Sequence, residues 1–370
     1  MAPALARAAE LGRPARHSPS MPPPLSGLAI PPDTAPMEAK LASEIPEGPG
    51  WQFEPKWDGF RCLAFRDGDA VELMSKSGKP LARYFPEVVE ALTGLKERRF
   101  VLDGELVLPL GEVLSFAALQ LRLHPAASRI EKLSRETPAQ LMLFDCLQLG
   151  GEVLLEEPLS LRRAALERFL RKGAGPRLHL SPATSDADIA AAWFERSGEA
   201  LDGIVAKRTD ASYKPGERAM VKVKQQRTAD CVVGGYRQGK NGIGSLLLGL
   251  YDSEGRLDYV GYTSSFTDEE RKALAKKLAP HEGPSPFTGS APGGKSRWSR
   301  GRSTEWSPLR AEVVAEVIYD QVTGGRFRHG TTFKRWRDDK RPDQCTRDQL
   351  AHELSPAALA QVLAEASDET

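Results

Sequence analysis

Short apolar runs alternate with turn residues from residue 51 onward, which is the pattern of β-strands. An Asp-Gly pair at 67–68 predicts the turn between two of these strands. In the first half, strands are predicted at 51–57, 60–66, 70–75, 98–108, 140–149, 202–208 and 219–225. Helices are predicted at 85–95, 115–123, 160–171 and 186–198, where apolar residues recur at helical spacing.

The pattern changes near residue 228, where short strands separated by Gly and Asp turns become the main element. These strands are predicted at 230–236, 245–252, 257–263, 311–323 and 331–337. One helix is predicted at 267–279 with Thr267 as its N-cap, and residues 281–304 are predicted to be a loop. Several short strands with one helix predict a small β-barrel, with an OB-fold as the leading candidate.

The chain therefore divides into four parts. Residues 1–36 are rich in Ala, Pro and Arg and are predicted to be a disordered extension, so that translation could also start at Met21 or Met37. Residues 37–227 form an α+β domain, residues 228–350 the barrel, and residues 351–370 an Ala-rich acidic tail.

Composition narrows the class of protein. The 370 residues are 40% hydrophobic and 27% charged, with a net charge of +1, as expected of a globular protein. The four cysteines lie far apart in sequence, which argues against a zinc site or a disulfide framework and favours a reduced, cytoplasmic setting. The run SLLLGL at 245–250 is far too short to cross a membrane, so we expect no membrane partner.

Basic residues concentrate in two strips despite the balanced total. One strip covers 203–227 and the other covers 324–341, each with seven Lys or Arg residues. A solvated charged surface is the ordinary explanation for either strip alone. Two strips on a balanced protein favour a phosphate-rich partner.

Four charged residues inside predicted strands indicate chemistry. Lys222 and Lys224 alternate on one strand, so both side chains should face the same phosphate. Asp103 and Glu105 share one face of another strand, and carboxylates among basic residues suit a divalent metal bound to a nucleotide. A lysine becomes a nucleophile only when its amine is neutral, so nearby cations or burial must favour that form.

The segment KWDGFR at 56–61 matches K-x-D-G-x-R, and it resembles the signature of covalent nucleotidyltransferases: ATP-dependent DNA ligases, RNA ligases and mRNA capping enzymes. The other family motifs follow in order. They are SKSG (75–78), DGEL (103–106), LFD (143–145), DGIVAK (202–207), MVKVK (220–224) and RDDK (337–340). The resemblance covers about residues 45–345. It is strongest to small bacterial ATP-dependent DNA ligases of the ligase C and D types.

The resemblance implies a fold and a reaction. An adenylation domain with antiparallel sheets would be followed by an OB-fold domain. Lys56 would attack the α-phosphate of ATP to form lysyl-AMP, AMP would pass to the 5′-phosphate of a nick, and the 3′-hydroxyl would displace it. A surface lysine is the alternative for Lys56.

Roles for the other motif residues follow from the same resemblance. Asp58 would orient a reacting hydroxyl or a metal, Arg61 would hold the ribose or the nick 5′-phosphate, and Lys222 and Lys224 would neutralise the α-phosphate. Glu54 would contact adenine through its backbone, and Phe144 would stack on adenine. Lys76 and Arg218 would contact the phosphates, and Glu105 would bind a ribose hydroxyl or metal-bound water. Asp202 would bind the metal (Mg²⁺ or Mn²⁺), and Arg337, Asp339 and Lys340 would orient the leaving pyrophosphate.

Three of these assignments have a structural alternative. Phe144 could be a core residue, Glu105 could form a strand salt bridge, and Asp339 and Lys340 could form an ion pair within a turn.

The sequence departs from the family pattern at three positions. Lys76 stands where the family usually has arginine, which keeps the charge but loses the bidentate geometry. Asp202 replaces a glutamate, and Asp338 adds negative charge beside a phosphate-binding motif.

Nicked duplex DNA is the expected partner, bound through phosphates in a sequence-independent and salt-sensitive way. The barrel would have to move between ATP charging and DNA binding, with residues 225–228 as the hinge. We expect a monomer near the nucleoid, acting in DNA repair with repair proteins as possible partners. An RNA ligase, a capping-type enzyme and a catalytically weak nucleic-acid-binding module are the alternatives.

Overall fold

The computed structural model describes residues 25–110, 113–124, 126–171, 173, 175–196, 201–224, 227–293, 305–350 and 356–368. Strands of the first domain are β1 (Ala39–Ala42), β2 (Trp51–Pro55), β3 (Phe60–Asp67), β4 (Ala70–Ser75), β5 (Arg99–Val107), β6 (Pro109–Leu110), β7 (Val113–Leu114), β8 (Gln140–Leu149), β9 (Glu152–Val153), β10 (Leu178–Leu180), β11 (Ile204–Arg208) and β12 (Met220–Val223). Its helices are α1 (Pro86–Thr93), α2 (Phe116–Leu121), α3 (Ala127–Glu136), α4 (Leu159–Leu170) and α5 (Ala187–Arg196).

Two large sheets and the small two-stranded sheet β6–β7 form the first domain. One large sheet has the strand order β1-β12-β11-β2, and the other has the order β10-β8-β5-β3-β4. Pairing is antiparallel except for β1 with β12 and β10 with β8, which are parallel. The predicted α+β class with antiparallel sheets is confirmed, and the two parallel pairs add strands at sheet edges.

The second domain is a barrel. Its elements are β13 (Arg227–Gly239), β14 (Gly242–Tyr251), β15 (Leu257–Thr263), α6 (Asp268–Leu278), β16 (Ser307–Pro308), β17 (Val314–Tyr319), β18 (Val322–Thr323), β19 (Arg326–Phe327) and β20 (Thr332–Trp336). The main sheet has the order β15-β14-β13-β17-β20, and hydrogen bonds between residues 262–263 and Thr331 connect β15 to the start of β20. This arrangement agrees with the predicted OB-fold.

Helix α6 begins where the sequence predicts. The Thr267 side chain accepts a hydrogen bond from the Glu270 backbone, and the Glu270 carboxylate accepts one from the Thr267 backbone, which is a capping box. Further along the helix, Leu274 and Leu278 pack into the barrel core. Within residues 281–304, the described part up to 293 contains no strand, and residues 294–304 lie outside the described residues.

Part of the predicted disordered extension is packed. Leu25 and Ile30 are buried in one cluster with Leu63 and Phe65, and the Ala29 N–H donates to Gln148 Oε1 at 3.0 Å. The prediction of disorder up to residue 36 is therefore wrong from residue 25 onward, because this Pro-rich segment contributes apolar side chains to the core. Residues 1–24 lie outside the described residues.

The predicted tail also contains a structured part. Helix α7 (Pro356–Asp368) returns to the first domain, where Leu359 and Leu363 are buried against Trp193 of α5. The Trp193 indole donates to the Leu363 carbonyl at 3.1 Å. Residues 356–368 of the tail thus form a helix that packs on the first domain. Among the helices of the described part, none is long and apolar enough to cross a membrane.

Candidate active site

A cavity of about 970 Å³ opens between the two sheets of the first domain. This volume lies within the range of small-molecule and cofactor pockets. Eight of the residues that sequence reasoning singled out line it: Glu54, Lys56, Arg61, Lys76, Glu105, Phe144, Lys207 and Lys222. Side chains from β3, β5, β8 and β12 therefore converge on one space large enough for a nucleotide.

Lys56 is in direct contact with a carboxylate. Its Nζ forms an ion pair with Asp202 Oδ2, and the same oxygen lies 3.3 Å from Lys224 Nζ. Two backbone hydrogen bonds fix the partners, from Lys56 N–H to the Gly203 carbonyl at 2.8 Å and from Asp202 N–H to the Lys56 carbonyl at 2.9 Å. The two lysines hold the pKa of Asp202 below its ordinary value, although burial acts in the opposite direction.

Gly59 and Gly203 follow the motif residues Asp58 and Asp202, and close backbone packing requires glycine at both positions. A Cβ at Gly59 would lie 2.0 Å from the Leu106 carbonyl oxygen, and a Cβ at Gly203 would lie 2.0 Å from that of Val223. Gly203 also has φ +140°, which disfavours any side chain. The Asp-Gly pairs of the motifs therefore let neighbouring strands approach closely beside the cavity.

Lys222 of β12 and Lys224 just after it lie near Lys56, although β11 separates β12 from β2 in the sheet. Burial, followed by the positive charges of Lys56, Lys224 and Lys76, lowers the pKa of Lys222. Several amines in one half-buried region repel each other, and an anion would relieve that repulsion. This part of the cavity is therefore suited to a phosphate group.

Arg61 has a protein partner. It donates two hydrogen bonds of 2.6 Å to the buried Asp103 carboxylate, whose Oδ2 also accepts from the Tyr213 hydroxyl at 2.7 Å. Burial opposes the charged guanidinium, but the neighbouring Asp103 raises the pKa of Arg61 above its usual range. Arg61 lines the cavity with its position fixed by Asp103.

Phe144 lies close to two cations on the cavity wall. Its ring centre is 4.6 Å from the Arg61 guanidinium carbon and 4.5 Å from Lys207 Nζ. Its side chain is nearly buried, yet it contributes to the cavity surface, so the two interpretations given for Phe144 are compatible. The Glu54 carboxylate is paired with Lys207 at 2.8 Å, which leaves its backbone as the part of Glu54 available to a ligand.

Glu105 lines the cavity on β5, directly opposite Arg61 in the strand register. Burial raises its pKa from 4.5 to about 7, although the charges of Arg61 and Lys56 act in the opposite direction. A carboxyl group that titrates near neutral pH can bind a hydroxyl or a metal-bound water in either protonation state.

Lys76 and Arg218 meet at another carboxylate that lines the cavity, that of Glu38. Glu38 Oε2 lies 3.1 Å from Lys76 Nζ and 4.0 Å from Arg218 Nε. Both cationic side chains are more than half exposed, so their heads can reorient toward a ligand.

The RDDK motif (337–340) lies on the barrel, outside the cavity of the first domain. Arg337 and Lys340 each bind Asp230 of the barrel at 2.8 Å, and Arg337 also pairs with Asp339 at 2.8 Å. None of the three motif residues lines the cavity. The structure therefore does not bring this motif together with Lys56, and the ion pair of Asp339 is with Arg337 rather than with Lys340.

A different barrel residue reaches the first domain. Arg328 donates from Nη1 to both Asp58 oxygens at 2.7 and 2.6 Å, and its guanidinium carbon lies 3.3 Å from the ring centre of Phe116. Beside it, Asp320 lies 3.7 Å from Lys224. In the sequence, Arg328 stands out only as part of a basic strip, because no local signal specifies a partner 270 positions away.

No cluster of three metal-ligating side chains occurs within the described residues. Mg²⁺ typically takes one or two carboxylates and completes its shell with water and substrate phosphates. Glu105 and Asp202 border the amine cluster and fit that partial donor set, with phosphate oxygens as the remaining ligands. The linker residues 225–226 proposed as a hinge lie outside the described residues, and β13 begins at Arg227.

A cleft lined by lysines between two sheets, followed by an OB-type barrel, defines a two-domain nucleotidyltransferase fold. Two family profiles match the chain, "ATP dependent DNA ligase domain" over residues 36–224 and "ATP dependent DNA ligase C terminal region" over residues 239–340. The chain belongs to the ATP-dependent DNA ligases.

Individual relatives agree with this assignment. The chain is 48% identical over 342 residues to DNA ligase C2 of Mycolicibacterium smegmatis, covering 87% of this chain and 96% of the relative. It is 44% identical over 347 residues to DNA ligase C of Mycobacterium tuberculosis, covering 89% and 96%. It is 33% identical over 307 residues to the multifunctional non-homologous end joining DNA repair protein LigD of Mycobacterium tuberculosis, covering 80% of this chain and 37% of that protein.

Proposed function

We propose that this DNA ligase seals 5′-phosphate/3′-hydroxyl nicks through a lysyl-AMP intermediate on Lys56. The observation that carries the proposal is the position of Lys56 on the nucleotide-sized cavity. Asp202 lies beside it, as do Lys222 of β12 and Lys224 just after that strand. In the first step the neutral Nζ attacks the α-phosphorus of ATP. The nitrogen–phosphorus bond forms as the bond to pyrophosphate breaks, and the amine proton is released.

The following steps return the lysine to its free form. An oxygen of the nick 5′-phosphate attacks the AMP phosphorus and breaks its bond to Nζ. The 3′-hydroxyl then attacks the 5′-phosphorus, and AMP leaves. Lys222 and Lys224 stabilise the charge that accumulates on the phosphorus oxygens, because both amines already lie near Lys56 before the reaction.

Nucleotide binding is assigned to the remaining cavity residues. Phe144 stacks on adenine, Arg61 and Glu105 face the ribose, and Lys76 and Arg218 contact the outer phosphates. Glu105 and Asp202 would hold a Mg²⁺ or Mn²⁺ ion together with the phosphates, and a bound divalent ion supplies charge neutralisation for phosphoryl transfer.

The barrel adopts two arrangements in this proposal. In the arrangement described, Arg328 contacts Asp58 while Arg337 and Lys340 are remote from the cavity. If Arg337, Asp339 and Lys340 orient the leaving pyrophosphate, the barrel must dock differently during the first step. Contact through Arg328 would then belong to the DNA-sealing arrangement.

The biological setting is proposed from the relatives and the charge pattern. LigD is named as an end-joining DNA repair protein, and the same role in repair is proposed for this chain, together with repair proteins as partners. We place the enzyme on nucleoid DNA as a monomer that contacts the duplex through its two basic strips.

The deciding experiment combines labelling with sealing. The enzyme is incubated with α-labelled ATP or GTP and then given a 5′-phosphorylated nick in duplex DNA or in a DNA–RNA hybrid. Labelling from ATP that is lost in Lys56→Ala, followed by sealing of the DNA nick, is the expected result. Labelling without DNA sealing would move the acceptor to RNA, and labelling from GTP would indicate a capping-type enzyme.

A further inference from the structure

Asp230 lies near the start of β13, on the barrel rather than in the nucleotide cavity. Its Oδ2 accepts hydrogen bonds from Arg337 Nη1 and from Lys340 Nζ, both at 2.8 Å. The side chain of Asp230 is only 12% exposed, whereas those of Arg337 and Lys340 are 18% and 23% exposed. One nearly buried carboxylate thus holds both cations of the RDDK motif.

The backbone of Asp230 is itself held in place. Its N–H donates to Gln349 Oε1 at 2.8 Å, and its carbonyl accepts from Gln349 Nε2 at 2.9 Å. The Gln349 amide also donates to the Thr346 carbonyl at 3.0 Å, which fixes its orientation. The carboxylate therefore has a defined position on the barrel, in addition to its place in the strand pairing with β17.

The charges around this carboxylate balance. Asp339 forms two hydrogen bonds with Arg337, at 2.9 and 2.8 Å, so two carboxylates face two cations. Long Lys and Arg side chains lose considerable rotamer freedom when they bind a ligand. Because the Asp230 carboxylate already orders the Arg337 and Lys340 side chains, less rotamer freedom is lost when they bind phosphate.

We propose that Asp230 is a positioning residue for the first chemical step: it holds Arg337 and Lys340 as one preformed unit for the pyrophosphate portion of ATP. This inference rests on the proposed function, in which the RDDK motif serves enzyme adenylation. Asp230 touches neither ATP nor the reacting atoms and acts only through the two cations.

The neighbouring strand supplies a matched comparison. Glu316 lies directly opposite Asp230 in the β13–β17 register, is similarly buried, and binds Lys334 at 2.8 Å and Arg335 at 2.6 Å. Neither of those cations belongs to the RDDK motif. Loss of the Glu316 charge should therefore disturb the barrel to a similar extent without affecting the motif.

The test separates the first step from the last. Asp230→Asn and Glu316→Gln are compared with the wild type for Lys56 adenylation by ATP in the absence of DNA. The same proteins are then assayed for sealing of a nick that already carries AMP on its 5′-phosphate. Thermal midpoints are measured for all three.

We expect Asp230→Asn to lower the adenylation rate about tenfold, since small misplacements of a positioned group cost about that much or more. Its sealing of the pre-adenylated nick should remain within about twofold of the wild type, and Glu316→Gln should adenylate normally. Equal losses of both steps in Asp230→Asn, or equal adenylation rates in both variants, would overturn the inference. Failure of the wild type to label Lys56 would instead refute the proposed function.

Discussion

Arg328 of the barrel and Asp58 of the first domain are joined by two short hydrogen bonds, from one guanidinium nitrogen to both carboxylate oxygens. Asp58 belongs to the same motif as Lys56, so the position of the barrel is coupled directly to the segment that carries the nucleophile. Phe116 supports the guanidinium from the first domain and orients it.

We expect Arg328→Ala to slow the sealing of a pre-adenylated nick at least tenfold, because a charged hydrogen bond contributes about 1.5–3 kcal/mol. Adenylation of Lys56 should stay close to the wild-type rate, since that step uses another barrel arrangement. Single-turnover assays of the two steps give both rates.

Arg326→Ala is the control for loss of a positive charge in the same hairpin. Arg326 lies over Tyr259 within the barrel, 5.2 Å from its ring centre. If both variants slow sealing equally, the effect reflects general DNA attraction and the contact with Asp58 has no separate role.

Glu105 should make stability depend on pH. Its pKa rises from 4.5 to about 7 on folding, so the folded chain binds more protons than the unfolded chain between these values. The stabilisation is fully present below about pH 4.5 and is lost as the pH rises through about 7. Urea unfolding at pH 5, 6 and 7.5 should show the wild type losing stability relative to Glu105→Gln as the pH increases.

The exposed Glu47→Gln variant controls for net charge in that series. Wild-type and Glu105→Gln profiles that stay parallel across the range would show that folding does not raise the pKa of Glu105.

Phe144→Leu separates stacking from packing, because it removes the ring and keeps a buried apolar side chain. Base–aromatic stacking contributes about 1–3 kcal/mol, so the KM for ATP in adenylation should rise about tenfold with little change in thermal midpoint. Phe100→Leu, at a fully buried position against Phe169, should lower the midpoint and leave KM unchanged. A Phe144 variant that loses only stability would make this residue a core residue.

Helix α7 should contribute to the stability of the first domain. Leu363→Ala removes a buried side chain next to Trp193 and should cost about 2–5 kcal/mol in the free energy of unfolding. Leu161→Ala, at a position 53% exposed, should change it by about 0.5 kcal/mol or less. Equal urea midpoints for the two variants would contradict the packing of α7.

Sequence patterns predicted the elements whose signals are local. Strand patterns located β3 to β5 and the long barrel strands β13, β14, β15, β17 and β20, but not the short β16 and β19. The Asp-Gly pair at 67–68 correctly marked the turn between β3 and β4. These features depend on neighbours within one element or on a motif with a fixed geometry.

Features that depend on tertiary contacts were missed. The composition of residues 25–36 is typical of disorder, yet Leu25 and Ile30 fill a core formed by distant strands. The Glu54–Lys207 pair, the Arg328–Asp58 contact and the Asp230 cluster all join residues more than 100 positions apart. Charge patterns show that such residues need partners and do not specify which ones.

The return of α7 to α5 makes the barrel an inserted domain. The polypeptide leaves the first domain after β12 and re-enters it at α7, so the barrel is attached through two crossings instead of one. A domain attached at two points can rotate about the axis that joins those points. It has less rotational freedom than a domain attached through a single linker. Exchange between the barrel arrangements would then follow a defined arc, and an intact α7 would set its limits.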